Sequence, residues 1–560
     1  MSLSRRQTLG LLAASGALAC SPKPKPTPFK ADNSANTIFL HGVASGDIQH
    51  TSLVIWTRIS TASETVEVDW ELASDQDFNT IIQTGTTSTN ADKDFTVKVI
   101  PENLEAGSTY FYRFKALNAT SPIGRTKTLP SGNVEKLGVA LASCSNFAFG
   151  FFNAYDAIAK DEAIDVVLHT GDYIYEYGGD EGWGHETAKT VGRVHSPKHE
   201  IITLQDYRTR HAQYKTDAGS LAMHAAHPLL CIWDDHETAN NPWMDGAQNH
   251  QPDTEGDYAA RRQASIQAYY EWMPIREPTG NQTRSEAWRT YSFGDLATLI
   301  TLETRHTGRS EQVDYLKHFA NITSPETRDI FIKDVMQDPE RKMISQGMEK
   351  ALRDGLEASV SSNQPWRMLG NASPIARMPV PDVSKHGITP DMNKDPEGFW
   401  TKALFWKGKW NLPFYTDTWD GYPVARENLY KLAKSVGAND LLFLTGDSHS
   451  YWANPLKDAD GNPAGIELGT AGISSPGDFV ESGWPNDVAE KLDRIFEQEL
   501  DEVKWTDNLH QGYVRVVFTP QSANADFVAV DNVLTTEYRV STIHSEKIVH
   551  DGKSIKFSDI

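Results

Sequence analysis

The sequence predicts an N-terminal antiparallel β-sandwich over residues 37–130, followed by a larger α/β layered domain over residues 136–560. Three observations predict it. At 560 residues the chain is longer than one hydrophobic core supports. From Thr37 to about Leu129 it reads as short alternating runs, at 53–58, 66–70 and 95–99, broken by turn residues, which is the pattern of strands with one buried face. From Lys136 the apolar runs become continuous, at 137–142, 166–170, 229–233 and 441–445, each too short for a helix and suited to a strand buried on both faces.

Taken in order, residues 1–20 form a basic start with Arg5 and Arg6, an apolar stretch from Leu9 to Ala19 and small residues before Cys20. That stretch is too short to span a bilayer and has the layout of a cleavable export signal. Ser4-Arg5-Arg6-Gln7-Thr8-Leu9 resembles the twin-arginine signal, so the expected partner is the twin-arginine translocation machinery and the expected location is the periplasm or cell surface. Cys20 is a candidate lipid-anchor cysteine, although Ala17-Leu18-Ala19 lacks the usual Leu three positions before it. Residues 21–36, rich in Pro, Lys and Ser, read as a tether. Within the β part, Leu104-Glu105-Ala106-Gly107-Ser108-Thr109-Tyr110 looks like the turn and tyrosine corner of a fibronectin-like sandwich. Helix-like segments at 262–272, 346–358 and 426–433 separate the later strands.

With 39% hydrophobic and 23% charged residues the composition is that of a soluble globular protein. The formal charge of −22 repels polyanions, so no nucleic-acid-binding surface is expected. An anionic substrate would need positive charge from elsewhere, and cations held by clustered carboxylates supply it. Beyond the signal only Cys144 and Cys231 remain, too few for a disulfide framework.

Each continuous strand run ends in ligand-type residues: Ser143-Cys144-Ser145, Gly171-Asp172-Tyr173-Ile174-Tyr175, Asp234-Asp235-His236-Glu237 and Gly446-Asp447-Ser448-His449. In α/β sheets the ligand site lies beyond the carboxyl ends of the strands. Asp447 and His449 project to one side of an extended chain, and a carboxylate with an imidazole is a sound partial metal-ligand set. The four ionisable groups at 234–237 are costly to bury unless paired or metal-bound. Tyr175 suits a ferric ion as tyrosinate, Tyr173 suits packing or support, and Cys144 would ligate only if a metal keeps it deprotonated. Cys231, inside its strand, reads as packing.

These motifs, with Gly42-Val43-Ala44-Ser45-Gly46-Asp47, Tyr269-Tyr270-Glu271-Trp272-Met273-Pro274 and Trp419-Asp420-Gly421-Tyr422, resemble in order those of the PhoD-like alkaline phosphatases, of the calcineurin-like metallophosphoesterase superfamily. The resemblance runs from about Gly42 to the C-terminus. It implies a metallophosphoesterase catalytic domain with an Fe(3+) and Ca(2+) site on Cys144, Asp172, Tyr175, Asp234, Asp235, Asp447 and His449, and a phosphate-ester substrate. Two departures stand out. Asn371, in Leu369-Gly370-Asn371-Ala372-Ser373, replaces paired glutamines and is a further candidate ligand, and Leu302-Glu303-Thr304-Arg305 has Glu where Asp is usual. For catalysis the expectations are a proton from His236 or an outer water to the leaving oxygen and a phosphate clamp from Arg261 or Arg262. Two alternatives stay open, a phospholipase D type phosphodiesterase on the same cluster and a non-catalytic metal-bearing binding protein. A serine hydrolase reading of Gly446-Asp447-Ser448 fails because no nucleophile-elbow helix follows.

Overall fold

Burial alternates along Thr65–Ala73 and Thr109–Ala116, with Val66, Val68, Tyr110, Tyr112 and Phe114 inward, and this alternation makes them half-buried strands. In the computed structural model, which describes residues 37–551 and 554–558, they join Ile81–Asn90, Ala119–Thr120 and Gly124–Lys127 in a five-stranded antiparallel sheet. The signal and tether expected over 1–20 and 21–36, Cys20 included, lie outside the described residues. Tyr110 closes the turn before its strand, its hydroxyl accepting the Glu105 N–H at 2.9 Å.

Other strands of the first hundred residues go elsewhere. Val43–Gly46, Val54–Arg58 and Thr96–Val99 form one edge of a ten-stranded sheet, attached by parallel pairing of Gly46 with Leu229. Glycine is required there, since a Cβ on residue 46 would lie 2.3 Å from the Leu229 carbonyl oxygen. The centre of this sheet is parallel, Leu137–Ala142, Val166–His169 and Leu229–Cys231, and its far side is antiparallel, Gln511–Phe518, Ser522–Val530, Val540–His550 and Ile555–Ser558. A seven-stranded sheet has its own parallel block, Ala297–Thr301, Trp366–Asn371, Leu441–Thr445 and Pro463–Gly469, flanked by Thr290–Phe293, Tyr451–Lys457 and Trp505–Asp507.

Period two explains the packing. Val139, Leu141, Leu168 and Leu230 share one core with Leu299, Met368, Leu442 and Leu444 of the other sheet. Their alternates face outward. Ala140, Ala142, Val167 and Leu229 pack against Ile158, Tyr207, Met223 and Tyr269, which lie on helices Asn153–Lys160, Leu204–Tyr214, Ala218–Ala226 and Tyr258–Trp272. Ile300, Leu369 and Phe443 pack against Leu352, Leu429 and Phe496, on helices Gln346–Ser361, Pro423–Ser435 and Asn486–Glu499. The strands are continuously apolar because both faces are covered.

The carboxyl ends of the two parallel blocks meet. A Cβ on Gly446 would lie 2.3 Å from Ser143 Oγ and 2.7 Å from Thr170 Oγ1, and Ile473 N donates to Ser143 O at 3.0 Å. Among the described residues, no helix is long and apolar enough to cross a membrane.

Candidate metal centre

Backbone strain marks the meeting point. Cys144, Asp172, Asp447 and His449 all have positive φ, at 60°, 57°, 68° and 53°, a conformation that costs non-glycine residues energy. The neighbouring structure enforces it. Glu237, buried, accepts the backbone N–H of Asp172 at 3.1 Å, Tyr173 at 2.7 Å and Asp234 at 2.9 Å, so one carboxylate clamps two strand ends. Burial pushes its carboxyl up to about 7 against the pull of those N–H groups. Gly171 permits the approach, because a Cβ there would lie 2.3 Å from Asp234 Cβ.

The strand ends deliver three overlapping sets of ligand-type atoms, each within 4.8 Å: Cys144, Asp172 and His449; Asp172, Asp235 and His236; Asp234, Asp235 and Asp447. Asp172 and Asp235 belong to two sets each. Tyr175 joins the first, its hydroxyl lying 3.0 Å from Asp172 Oδ2, 3.4 Å from His449 Nε2 and 3.1 Å from Ser475 Oγ. Cys144, Tyr175 and Asp234 are fully buried, and Asp447 is the most open of the sets, its side chain 18% exposed.

The electrostatics call for cations. Burial, then the Asp172 carboxylate, pushes the Cys144 thiol well up, and the same two causes act on the Tyr175 phenol. Burial raises Asp172 and Asp447 well above the carboxylate range, with Asp234 and Asp235 adding repulsion, and raises Asp234 to about 6 against the pull of Arg305. Burial would also raise Asp235, but His236 and Arg305 outweigh it and hold that carboxyl below its usual value. Asp172 Oδ1 and Asp234 Oδ2 are buried without a hydrogen-bond partner. Unpaired buried oxygens beside a thiol and phenol that resist ionisation are costly in a bare protein, and multivalent ions offset that cost, so the residues fit a metal site.

His236 is buried with its Nδ1 2.7 Å from Glu176 Oε2, and although burial disfavours charge, Asp235, Glu176 and Asp172 keep its pKa well above the usual value. The arginines expected to clamp phosphate are committed elsewhere. Arg261 donates to Glu200 Oε1 at 2.7 Å, Glu255 Oε2 at 3.0 Å, Asn249 O at 3.0 Å and the Tyr207 hydroxyl at 3.1 Å, and Arg262 donates to Met244 O. The arginine brought to the cluster is Arg305, missed as a site residue in the sequence. It is fully buried, with Nε 2.5 Å from Asp234 Oδ1, Nη1 3.4 Å from Asp417 Oδ2 and Nη2 3.8 Å from Asp447 Oδ1. Glu303, the departure noted above, holds this turn by accepting the N–H of Arg305 and His306 at 2.8 and 2.7 Å. Asn371 lies at a neighbouring strand end, but its amide donates to Ser373 O at 2.5 Å and its Oδ1 accepts the Trp419 indole N–H at 3.2 Å.

A thiol, a phenol, carboxyls and imidazoles gathered where the carboxyl ends of two parallel blocks meet put the site where α/β proteins bind their ligands. The PhoD-like phosphatase model matches residues 139–527 and the model of the PhoD-like phosphatase N-terminal domain matches 23–130. The chain belongs to the PhoD-like phosphatase family. It is 33% identical to Alkaline phosphatase D of Bacillus subtilis (strain 168) over 534 residues, covering 91% of this chain and 81% of that one. It superposes on a solved structure of PhoD with a TM-score of 0.75 at 31% identity, covering 94% of each chain. The protein is therefore a phosphoesterase, and its family implies a metal cofactor.

Proposed function

We propose that this phosphoesterase hydrolyses phosphate monoesters, diesters or both at a centre holding Fe(3+) and Ca(2+), and that it is an alkaline phosphatase in the sense of its Bacillus relative. The observation carrying this reading is the convergence of Cys144, Asp172, Tyr175 and His449 on one buried point. Thiolate, tyrosinate and imidazole suit the ferric ion, whereas Asp234, Asp235 and Asp447 offer only carboxylate oxygen, which suits calcium. When bound, the ions supply Lewis acidity, which makes a water nucleophilic near neutral pH and offsets charge on the phosphoryl oxygens.

The chain's own groups do the rest. Arg305 Nη2, buried with no hydrogen-bond partner, is placed to bind a phosphoryl oxygen, while Asp234 and Asp417 hold the guanidinium still. His236, oriented by Glu176 through Nδ1, keeps a proton on Nε2 for the leaving oxygen. Trp183, stacked at 15° over the His449 ring and 18° over that of His236, limits water beside both imidazoles. Residues 1–20 are read as a twin-arginine signal and 21–36 as a tether, which places the enzyme outside the cytoplasmic membrane with Cys20 as candidate anchor. The five-stranded sheet and its Tyr110 turn support a fibronectin-like accessory unit.

The test is metal analysis with a visible spectrum of the purified protein. Iron and calcium should both be present, and the tyrosinate-to-iron band should vanish in Tyr175→Phe while the fold persists. A colourless, iron-free, fully active enzyme would refute the assignment. Turnover of a monoester, a diester and a phospholipid under one metal condition settles the ester class.

A further inference from the structure

The turn that carries Arg305 is gathered around one carboxylate. Glu303 follows strand Ala297–Thr301 of the seven-stranded sheet and is fully buried. Its Oε1 accepts the N–H of Arg305 at 2.8 Å, of His306 at 2.7 Å and of the Trp233 indole at 3.2 Å. Its Oε2 accepts the Thr307 N–H at 2.9 Å and the Thr307 hydroxyl, so all five donors are neutral. A carboxylate accepts through both of its oxygens, whereas a side-chain amide has one acceptor oxygen, so Glu closes this turn from both sides and Gln cannot.

Those bonds lead to one guanidinium from two directions. Trp233 follows strand Leu229–Cys231 of the ten-stranded sheet and directly precedes Asp234, whose Oδ1 accepts Arg305 Nε at 2.5 Å. Glu303 therefore ties the backbone of Arg305, on one sheet, to the residue beside the carboxylate that holds its side chain, on the other. Four positions further along the same turn, the fully buried Arg309 donates Nη2 to Asp417 O at 3.1 Å, and Asp417 Oδ2 lies 3.4 Å from Arg305 Nη1. With Nε and Nη1 both held, the rigid plane of the guanidinium fixes the direction of Nη2. That nitrogen is buried without a hydrogen-bond partner, 3.8 Å from Asp447 Oδ1.

Burying a carboxylate among neutral donors is an expensive way to stabilise a turn, because its desolvation is only partly offset. What the arrangement secures is a direction. We propose that Glu303 is a positioning residue: it aims Arg305 Nη2 at the phosphoryl group of the substrate, and phosphate affinity depends on its acceptor contacts although it touches neither the substrate nor an ion. The inference rests on the reading of Arg305 as the phosphate-binding arginine and adds the residue through which that arginine is placed. A buried, pre-aimed donor binds an anion more tightly than a mobile one, since no side-chain freedom is lost when the anion arrives.

The experiment is calorimetric binding of inorganic phosphate to the metal-loaded full chain, with bound metal per chain measured alongside. Arg305→Met should weaken phosphate roughly ten- to a hundredfold, the range of one charge-assisted hydrogen bond. Glu303→Gln should weaken it about tenfold with bound metal unchanged. Combined with Arg305→Met, the Glu303→Gln effect should vanish, so that the double variant binds phosphate no more weakly than Arg305→Met alone. A purely structural role would instead weaken phosphate by the same factor in both backgrounds or lower bound metal, and either result overturns the proposal. So does wild-type phosphate affinity in Glu303→Gln. If that variant does not fold, Trp233→Phe removes the indole donor alone and should weaken phosphate about threefold beside Arg305 and not at all beside Met; no effect, or equal effects in the two backgrounds, overturns the proposal. An Arg305→Met chain that binds phosphate as tightly as wild type overturns the reading of Arg305 itself, a failure distinct from that of Glu303.

Discussion

At the scale of single residues, the legible part of the centre follows from strand geometry. Asp172, Asp447 and His449 could be read directly, because an apolar run ending in Gly-Asp places its polar side chains at a sheet edge. Cys144 and Tyr175 could not, since a thiol or phenol after a strand looks the same whether it packs or ligates, and only the resemblance singled them out. Arg261 and Arg305 show the limit. Both are buried arginines, and spacing alone does not say that Arg261 turns to Glu200 and Glu255 while Arg305 turns to Asp234. Lys215 is a third buried cation, invisible in the sequence, with its ammonium 3.2 Å from the Tyr173 hydroxyl and 3.0 Å from His224 Nε2. Burial pulls its pKa from 10.5 down to about 7. Between those values the unfolded chain binds more protons than the folded one, so this residue makes stability rise with pH, by up to about 1.4 kcal/mol per pH unit. Lys215→Met should remove that rise. Thermal unfolding at pH 7, 8.5 and 10 should show wild type gaining on the variant as pH increases, and parallel curves would contradict it.

At the scale of elements, the strand ends bring ligand-type residues together because their backbones approach more closely than side chains normally permit. Gly446 is the tightest joint between the two parallel blocks, where a Cβ would meet Ser143 Oγ at 2.3 Å, Ser143 Cβ at 2.6 Å and Thr170 Oγ1 at 2.7 Å. Its N–H also donates to Ala372 O at 2.9 Å, which ties strand Leu441–Thr445 to its neighbour. A methyl group there must push the Ser143-Cys144 turn away from Asp447, which moves ligands of two sets apart. Gly446→Ala is expected to cost about 1–3 kcal/mol by overpacking and, more tellingly, to lower bound metal per chain while far-ultraviolet dichroism stays native. Metal content equal to wild type would show that the turn absorbs the methyl without moving its ligands. Periodicity in the sequence identified these strands, but not that they belong to two sheets, because a strand buried on both faces carries no mark of which sheet it joins. The contact between Gly446 and Ser143 is the kind of fact that only the tertiary structure supplies.

At the scale of the whole molecule, the β part and the α/β part share a sheet. The alternating runs at 53–58 and 95–99 look like those of the five-stranded sheet, yet strands Val54–Arg58 and Thr96–Val99 extend the ten-stranded sheet through Val43–Gly46. Trp56 and Trp272 pack together at 5.7 Å, and the Trp56 indole donates to Glu271 O at 2.8 Å, so the helix Tyr258–Trp272 leans on this edge. Lys98 likewise gives its ammonium to Ile275 O at 2.9 Å. The same helix packs on the strand that ends in Asp234 and Asp235. Removing residues 37–130 would therefore strip the sheet edge from Leu229–Cys231, uncover Trp272 and leave its backbone groups unpaired, each buried orphan costing about 1–3 kcal/mol. Chains starting at Lys136 are expected to be recovered insoluble or without a cooperative transition, whereas residues 37–560 should unfold in calorimetry with the two units melting together. A soluble 136–560 fragment with the melting temperature and metal content of the longer chain would show instead that the edge strands are an ornament on an independently stable catalytic unit.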